Sequence, residues 1–316
     1  MILSSILIVI GFVLLIVGAD LLVDGASGIA KNFHIPEIII GLTIVSIGTS
    51  MPELFVSITS ALDGYSDMAI GNIVGSNLSN LLLILGLSAT IKPVFFQKET
   101  RIYEIPMCLA STLILMLFCN TNAKISIGES AVLLVLFCMF ILYTIFMAKK
   151  ESQKNIVEID VKEEKKNSTL KDIVFIILGI VGLKIGGDLA VDNAVVVANY
   201  FNLSEKLISL TILAIGTSLP ELVTSVTAAV KGNSDIAIGN IIGSNIFNIL
   251  LIIGTSAFIT PITYNITYNF DFTVLLVSSI ILALFPFIPP KNEMSRMNGI
   301  VYLLIYAGYM AILFIK

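Results

Sequence analysis

Residues 43–80 read TIVSIGTSMPELFVSITSALDGYSDMAIGNIVGSNLSN, and residues 211–248 read TILAIGTSLPELVTSVTAAVKGNSDIAIGNIIGSNIFN. The two stretches align without a gap at an offset of 168 residues, and 24 of the 38 positions are identical. Shared apolar composition alone does not produce so many identities. The chain therefore contains an internal repeat, and each part of its fold is expected to occur twice.

The composition of the chain excludes most classes of soluble protein. Of its 316 residues, 57% are hydrophobic and 13% are charged, whereas soluble domains have about a quarter of their residues charged. The net charge of −4 offers no basic surface to nucleic acid, and the three cysteines lack CxxC spacing. We predict an all-α polytopic membrane protein whose partner is the lipid bilayer, with no nucleic-acid partner and no cofactor.

Apolar runs separated by glycine, proline or charge clusters predict ten transmembrane helices. They cover residues 2–30, 37–61, 67–91, 101–120, 127–148, 170–198, 205–230, 235–261, 270–288 and 297–315. Lysines and acidic residues dominate the stretch between the two sets of five, which has the composition of a solvated linker. The predicted parts are a five-helix repeat at 1–148, a charged cytoplasmic linker at 149–172 and a second repeat at 173–316.

Each half contains an odd number of spans, so the second half is expected to enter the membrane inverted relative to the first. If the N-terminus is outside, cytoplasmic segments hold 14 lysines and arginines and outer segments hold three. The positive-inside rule therefore places both termini outside. Inverted repeats are typical of secondary transporters, which bind their substrate at the membrane midplane between the repeats.

The repeated glutamates Glu53 and Glu221 lie in the middle of apolar spans. An ionisable residue at membrane depth is costly and is a functional candidate by default. Polar residues at helical spacing share its helix face: they are Ser46, Thr49, Ser50 and Ser57 in the first copy, and Thr217, Ser218 and Ser225 in the second. Beside a carboxylate, such hydroxyls are expected to supply oxygen ligands as well as helix packing.

A proline precedes each glutamate and is expected to break the helix. Pro52 removes the hydrogen bond to the carbonyl of Gly48, and Pro220 does the same to Gly216. The prediction is an unwound turn whose free carbonyl oxygens face a cavity, as in cation transporters. A plain helix kink is the alternative.

The end of each repeated stretch, G-N-I-[VI]-G-S-N-x-x-N, brings further polar side chains to one helix face. They are Asn72, Ser76 and Asn80 in the first copy, and Asn240, Ser244 and Asn248 in the second. The glycines of this motif have close helix packing as a competing role. Carboxylate, hydroxyl, amide and carbonyl oxygens together suit a hard cation, and calcium more than magnesium.

These motifs closely resemble the alpha-repeats of the sodium/calcium exchanger family, within the cation/calcium antiporter superfamily, at residues 41–80 and 209–248. The resemblance implies a secondary antiporter that exchanges Ca2+ for Na+ by alternating access, and not an enzyme. The short linker is similar to prokaryotic members without the large regulatory loop. We expect a multi-pass protein of the plasma (inner) membrane that functions as a monomer.

The resemblance also implies roles for individual residues. Glu53 and Glu221 would bind calcium, and Asn80 and Asn248 would lie at the central site. Further oxygens, mostly for sodium, would come from Thr49, Ser50, Ser76, Thr217, Ser218, Ser244 and the carbonyls of Ser46 and Ala214. Many relatives carry aspartate at one of the two asparagine positions, so a Ca2+/H+ or K+-dependent antiporter is the alternative function.

Two other classes of membrane protein, a cation channel and an intramembrane hydrolase, fit the sequence less well. A cation channel has no need of two inverted broken helices, and an intramembrane hydrolase would need a group that activates its serine. The motif G-x-D-L-x-V-D places four aspartates near the predicted ends of the first span of each repeat: they are Asp20, Asp24, Asp188 and Asp192. We assign these aspartates gating or helix-end roles, and we expect Lys184 to pair locally or snorkel.

Overall fold

The structure is a computed structural model that describes residues 2–158, 169–201 and 214–315. Most of these residues are helical, and the described residues contain four strands of two residues each. The predicted all-helical architecture is therefore confirmed for the described part of the chain.

The first half of the chain forms six helical segments, two of which belong to one bent span. They are α1 (Ile2–Phe33), α2 (Glu37–Thr49), α3 (Met51–Leu62), α4 (Ser66–Ile91), α5 (Thr100–Thr121) and α6 (Ile127–Glu158). The order of elements in the second half is the same. Its helices are α7 (Thr169–Tyr200), α8 (Ala214–Thr217), α9 (Leu219–Lys231), α10 (Ser234–Ile259), α11 (Ile266–Phe287) and α12 (Arg296–Ile315).

Eight of the described helices are long and apolar enough to cross a membrane, and the bent pair α2–α3 brings the number to nine. The remaining predicted span, at 205–230, begins among residues 202–213, which lie outside the described residues. Its later part forms α8 and α9. The chain is a multi-pass membrane protein, and a count of ten spans stays a prediction.

The helix ends differ from the sequence prediction mainly around the linker. The helix α6 continues to Glu158, beyond the predicted end at residue 148, and α7 begins at Thr169. Lysine and glutamate have high helix propensity, so they can continue a helix beyond the point where it leaves the apolar region. The centre of the predicted linker, residues 159–168, lies outside the described residues.

Two short antiparallel ladders join the halves at opposite ends of the molecule. Strand β1 (Val94–Phe95) pairs with β4 (Glu293–Met294), and β2 (Lys124–Ile125) pairs with β3 (Ile262–Thr263). The repeat maps β1 onto β3, so each ladder is the exchanged copy of the other. We call the two ends of the molecule the β1–β4 end and the β2–β3 end.

Glycines bring α1 and α7 into close contact. A Cβ atom on Gly18 would lie 2.8 Å from the amide nitrogen of Leu183, and one on Gly179 would lie 2.7 Å from that of Leu22. The pair shares an apolar core with α9 and the start of α10, and a larger core joins α4, α5, α6, α10, α11 and α12. The helix pair α1–α7 therefore packs as a unit against one side of the bundle.

Replacing Gly18 with leucine is expected to separate α1 from α7, because real Cβ atoms do not approach backbone atoms to 2.8 Å. Overpacking of this kind costs about 1–3 kcal/mol or more. The measurement is the melting temperature of the purified variant in detergent. Gly308→Leu is the matched control, since nothing lies within 4 Å of a Cβ atom there. Equal melting temperatures for the two variants would contradict the packing argument.

Candidate ion-binding site

The span that carries Glu53 is broken at the residue before the proline motif. Ser50 has φ −85° and ψ 8°, which ends α2, and α3 begins with Pro52 in its first turn. The two segments meet at an angle of 50°. Ser218 has nearly the same backbone angles, φ −89° and ψ 7°, and Pro220 lies in the first turn of α9. Both copies therefore break at the predicted place, whereas free carbonyl oxygens that face a cavity stay a prediction.

Each glutamate accepts a hydroxyl hydrogen bond from a serine of the other repeat. Ser50 donates to Glu221 over 2.8 Å, and its oxygen lies 2.9 Å from the hydroxyl of Ser244, which can donate to it. Ser218 donates to Glu53 over 3.4 Å, and its oxygen lies 3.2 Å from the hydroxyl of Ser76. The contacts are exchanged copies of each other, so the two broken helices meet face to face.

A second layer of polar contacts joins each broken helix to the asparagine helix of the opposite repeat. Thr49 donates to the amide oxygen of Asn240 over 3.0 Å, and Thr217 donates to that of Asn72 over 3.5 Å. The amide nitrogens of these asparagines bond to serines: Asn240 donates to Ser225 over 2.9 Å, and Asn72 to Ser57 over 3.0 Å. The polar residues of the predicted stripe therefore hold the two repeats together through hydrogen bonds.

Four asparagines from α4 and α10 hold each other at the centre of the molecule. Asn80 donates its amide hydrogen to the side-chain oxygen of Asn245 over 2.9 Å, and Asn248 donates to that of Asn77 over 2.9 Å. Asn77 and Asn245 also donate to each other's backbone carbonyls, over 3.3 and 3.4 Å. The donors of Asn80 and Asn248 are thus occupied, and their oxygens are free.

Four buried oxygens at this place have no hydrogen-bond partner in the described structure. They are Oε2 of Glu53, Oε2 of Glu221, Oδ1 of Asn80 and Oδ1 of Asn248, and each of these side chains is 1% exposed. A native protein does not leave buried acceptors unpaired without a reason. Four unpaired oxygens, two of them on carboxyl groups, are candidate ligands for a positive ion.

Most of the residues that the sequence singled out lie together around these oxygens. One hydrogen-bonded group contains Glu53, Glu221, Ser50, Ser218, Ser76 and Ser244. Thr49 and Thr217 directly precede Ser50 and Ser218 in the chain, and Asn80 and Asn248 lie one helical turn after Ser76 and Ser244. Ser46 and Ala214 are at the ends of the group: the carbonyl of Ser46 accepts the backbone N–H of Ser50, and Ala214 begins α8. No ligand role for the two carbonyls follows from these positions.

Sequence reasoning missed Asn77 and Asn245, which orient the two asparagines of the centre. The motif G-S-N-x-x-N contained the signal, because its first asparagine lies one helical turn before the second. At that spacing the two side chains share a helix face. The pairing of each with the opposite repeat has no signal in a single sequence.

A cavity of about 700 Å³ reaches the site from the β2–β3 end. Its wall includes Asn72, Ser76 and Thr217 of the site and Asp67 and Tyr268 at the outer rim. Asn72 and Thr217 are partly exposed to this cavity. Their counterparts in the repeat, Asn240 and Thr49, are 0% exposed. Nearly identical sequences are therefore open on one side and packed on the other.

The predicted aspartates lie on α1 and α7 outside the group of oxygens. Lys231 contacts Asp20 over 2.7 Å and Asp24 over 2.5 Å, which joins the end of α9 to α1. Lys184 pairs with Asp188 over 2.6 Å along α7, as expected for local pairing. In the repeat, Asp63 takes the place of Lys231, and an aspartate cannot pair with Asp188 or Asp192.

Broken helices that face each other across a buried, oxygen-lined site are typical of ion transporters of the membrane. Residues 3–146 and 171–315 match the family described as sodium/calcium exchanger protein, and the chain belongs to that family. The matched ranges contain both copies of the repeat.

Relatives of this chain match it over nearly its whole length. A putative antiporter CaxA from Alkalimonas amylolytica is 37% identical over 99% of both chains. The sodium/calcium exchanger MaX1 from Methanosarcina acetivorans is 31% identical over 98% of both chains. A solved structure of the sodium-calcium exchanger NCX_Mj, soaked with zero Na+ and Ca2+, has a TM-score of 0.85 and 31% identity, and covers 99% of both chains.

Replacing Asn245 with alanine is expected to weaken Ca2+ binding, because Asn80 loses the acceptor that turns its oxygen into the site. One buried hydrogen bond is worth about 1 kcal/mol, which corresponds to a roughly five- to tenfold higher Kd. The measurement is calorimetric Ca2+ titration of the purified protein. Asn120→Ala, which removes a hydrogen bond to Asn269 far from the site, is the control. The orienting role of Asn245 is wrong if both variants bind like the unmodified protein.

Proposed function

We propose that the chain is a secondary active antiporter that exchanges Ca2+ for Na+ by alternating access. The observation that carries this proposal is the set of four unpartnered buried oxygens on Glu53, Glu221, Asn80 and Asn248. Membership of the sodium/calcium exchanger family supports it. The two ions are the substrates of the protein.

Charge and ligand number favour calcium as the divalent ion. Two carboxylates balance one divalent cation, and Ca2+ takes 6–8 oxygen ligands in flexible geometry. The four unpartnered oxygens, with hydroxyls of the adjacent serines and threonines, approach that number. His and Cys, which zinc or copper would favour, form no metal-ligating group among the described residues.

Sodium ions would use overlapping oxygens of the same group. In our proposal they bind to hydroxyls of Thr49, Ser50, Ser76, Thr217, Ser218 and Ser244, and to the carbonyls of Ser46 and Ala214. Each carboxylate is then shared between a calcium ion and the sodium ions that replace it. Competition for one set of ligands is what an antiporter requires, because both ions must not be carried together.

Exchange of conformations between the two repeats would move the opening from one end to the other. The cavity at the β2–β3 end and the packed α10 at the opposite side support this step. In the other state the counterparts of the cavity residues would become accessible, with α1 and α7 moving along the bundle. The ion pairs of Lys231 with Asp20 and Asp24 would then have to open.

The proposed topology follows the lysine and arginine bias. The β1–β4 end would be cytoplasmic, and both termini and the β2–β3 end would face outward. Two inverted five-helix repeats, at 1–148 and 173–316, would surround ion sites at the midplane of the plasma membrane. One chain contains both halves of the site, so we propose that the monomer is the functional unit.

Ion replacement in proteoliposomes tests the function. With Ca2+ outside and Na+ inside at one pH, we expect ⁴⁵Ca uptake that stops when Na+ is replaced by choline. Uptake driven by a proton gradient without Na+, or only with K+ present, would favour the alternative antiporter. Uptake that needs no counter-ion would identify a channel.

Substitution of Glu53 or Glu221 by glutamine is expected to abolish Ca2+ exchange, because either change leaves one negative charge for a divalent ion. Folding should be preserved, since glutamine keeps the shape of the side chain and accepts the serine hydrogen bond. The measurement is ⁴⁵Ca uptake together with the melting temperature, and the exposed Asp63→Asn is the control. Uptake by either glutamine variant at the level of the control would remove the pair from the mechanism.

Lys231→Gln is expected to increase the fraction of molecules open at the β1–β4 end. An exposed ion pair is worth about 0.2–1 kcal/mol, so its loss shifts the population by up to about fivefold. Thr224 reports this state, because it is 0% exposed and its counterpart Val56 lines the open cavity. The measurement is the rate at which a water-soluble thiol reagent labels Thr224→Cys in a background without the native cysteines.

Lys92→Gln is the control for this experiment, since Lys92 lies at the same end of the molecule. Labelling at equal rates in the Lys231 and Lys92 variants would show that the ion pairs do not hold this end closed.

A further inference from the structure

Glu104, on the first turns of α5, is a buried acid that the proposed transport mechanism does not use. Its side chain is 0% exposed, and neither carboxyl oxygen has a hydrogen-bond partner among the described residues. The hydroxyls of Thr100, one turn earlier, and of Tyr143 on α6 are also buried without a partner. The ion pairs formed by Lys184 and Lys231 lie on other helices and do not involve Glu104. A charged carboxylate in such a place would be strongly destabilising.

The internal repeat shows that the fold does not need an acid at this position. The counterpart of Glu104 is Phe272, which is also 0% exposed. The backbone from Thr100 to Glu104 is wound as a π-helix. The same winding occurs beside the ion site, at Ser79–Ile84 and Asn248–Ile253, and such turns frequently mark functional sites. An apolar side chain can therefore fill this position, and the carboxyl group of Glu104 is not required for packing.

Among the described residues, no positive charge acts on Glu104, because Arg101 on the same segment donates to Gln97 and Asn292 instead. Glu99 on the same segment and Asp235 on α10 are the charged residues that act on it electrostatically, and Tyr143 is the titratable group on α6. A divalent metal ion is disfavoured, because one carboxyl group and two hydroxyls provide a single negative charge and fewer oxygens than the 6–8 that Ca2+ takes. A proton needs only the carboxylate itself.

We propose that Glu104 is a proton-binding site, occupied in this conformation and separate from the oxygens of Glu53 and Glu221. The carboxylate takes up one proton and becomes a neutral acid. Its O–H can then donate to a hydroxyl of Thr100 or Tyr143, which supplies a partner for a second buried polar group. The proposal goes beyond exchange of Ca2+ and Na+, since it holds whether or not the protein moves either ion.

Infrared spectroscopy tests the proposal on the purified full chain. With Ca2+ in excess at neutral pH, the carbonyl stretch of a protonated carboxyl should be present in the unmodified protein and lost in Glu104→Gln. Contributions from Glu53 and Glu221 are common to both samples and cancel in the difference. Glu99→Gln, one turn away and partly exposed, should keep the band. A difference spectrum without a carboxylic acid band would overturn the proposal.

Thermal unfolding at several pH values provides a second readout. From about pH 5 upward, the unmodified protein and Glu99→Gln should lose melting temperature more steeply than Glu104→Gln, because there the unfolded chain releases the Glu104 proton that the folded chain keeps. Parallel curves would overturn the proposal. If Glu104→Gln does not fold, the infrared spectrum of unmodified protein with ¹³C-labelled glutamate is measured with Ca2+ bound. An isotope-shifted carboxylic acid band supports the site, and a spectrum in which all glutamates are ionised excludes it. None of these measurements depends on transport.

Discussion

Two carboxyl groups, Glu53 and Glu221, are buried where no ion pair of the described residues reaches them. Removing a carboxylate from water costs several kcal/mol unless a counter-charge replaces the lost hydration. The rest of the site reduces this cost only in part, because serines satisfy one oxygen of each carboxyl and leave the other free. In the proposed mechanism the transported cations supply the missing charge and use the free oxygens as ligands.

The repeat predicted much of this arrangement from the sequence alone. Because the offset of 168 residues has no gap, each ligand in one copy had a partner in the other, and proline before each glutamate predicted the break. Side-chain direction was not predictable in the same way. Whether Asn80 turns its oxygen or its nitrogen toward the ion depends on Asn245, which belongs to the other repeat. A contact over that sequence separation is decided by packing, and a single sequence carries no record of it.

The difference between the two sides of the molecule also escaped the sequence argument. Residues 43–80 and 211–248 are so similar that they predict the same environment, yet Asn72 is partly exposed and Asn240 is fully buried. In the proposed mechanism the chain has a second arrangement of similar energy, with the roles of the copies exchanged. The non-identical positions then decide which arrangement prevails. Lys231 against Asp63 is one of them, because only the lysine can pair with aspartates on the neighbouring helix.

The choice of asparagine at positions 80 and 248 follows from the same balance of charge. An aspartate there would lose the amide hydrogen that Asn80 donates to Asn245, and two acceptor oxygens would face each other. It would also add a third negative charge to a site whose two carboxylates already match one divalent ion. A further monovalent cation would then be needed to balance the site. The amide keeps the oxygen ligand and removes that need, which favours exchange of Ca2+ for Na+ without a third transported ion.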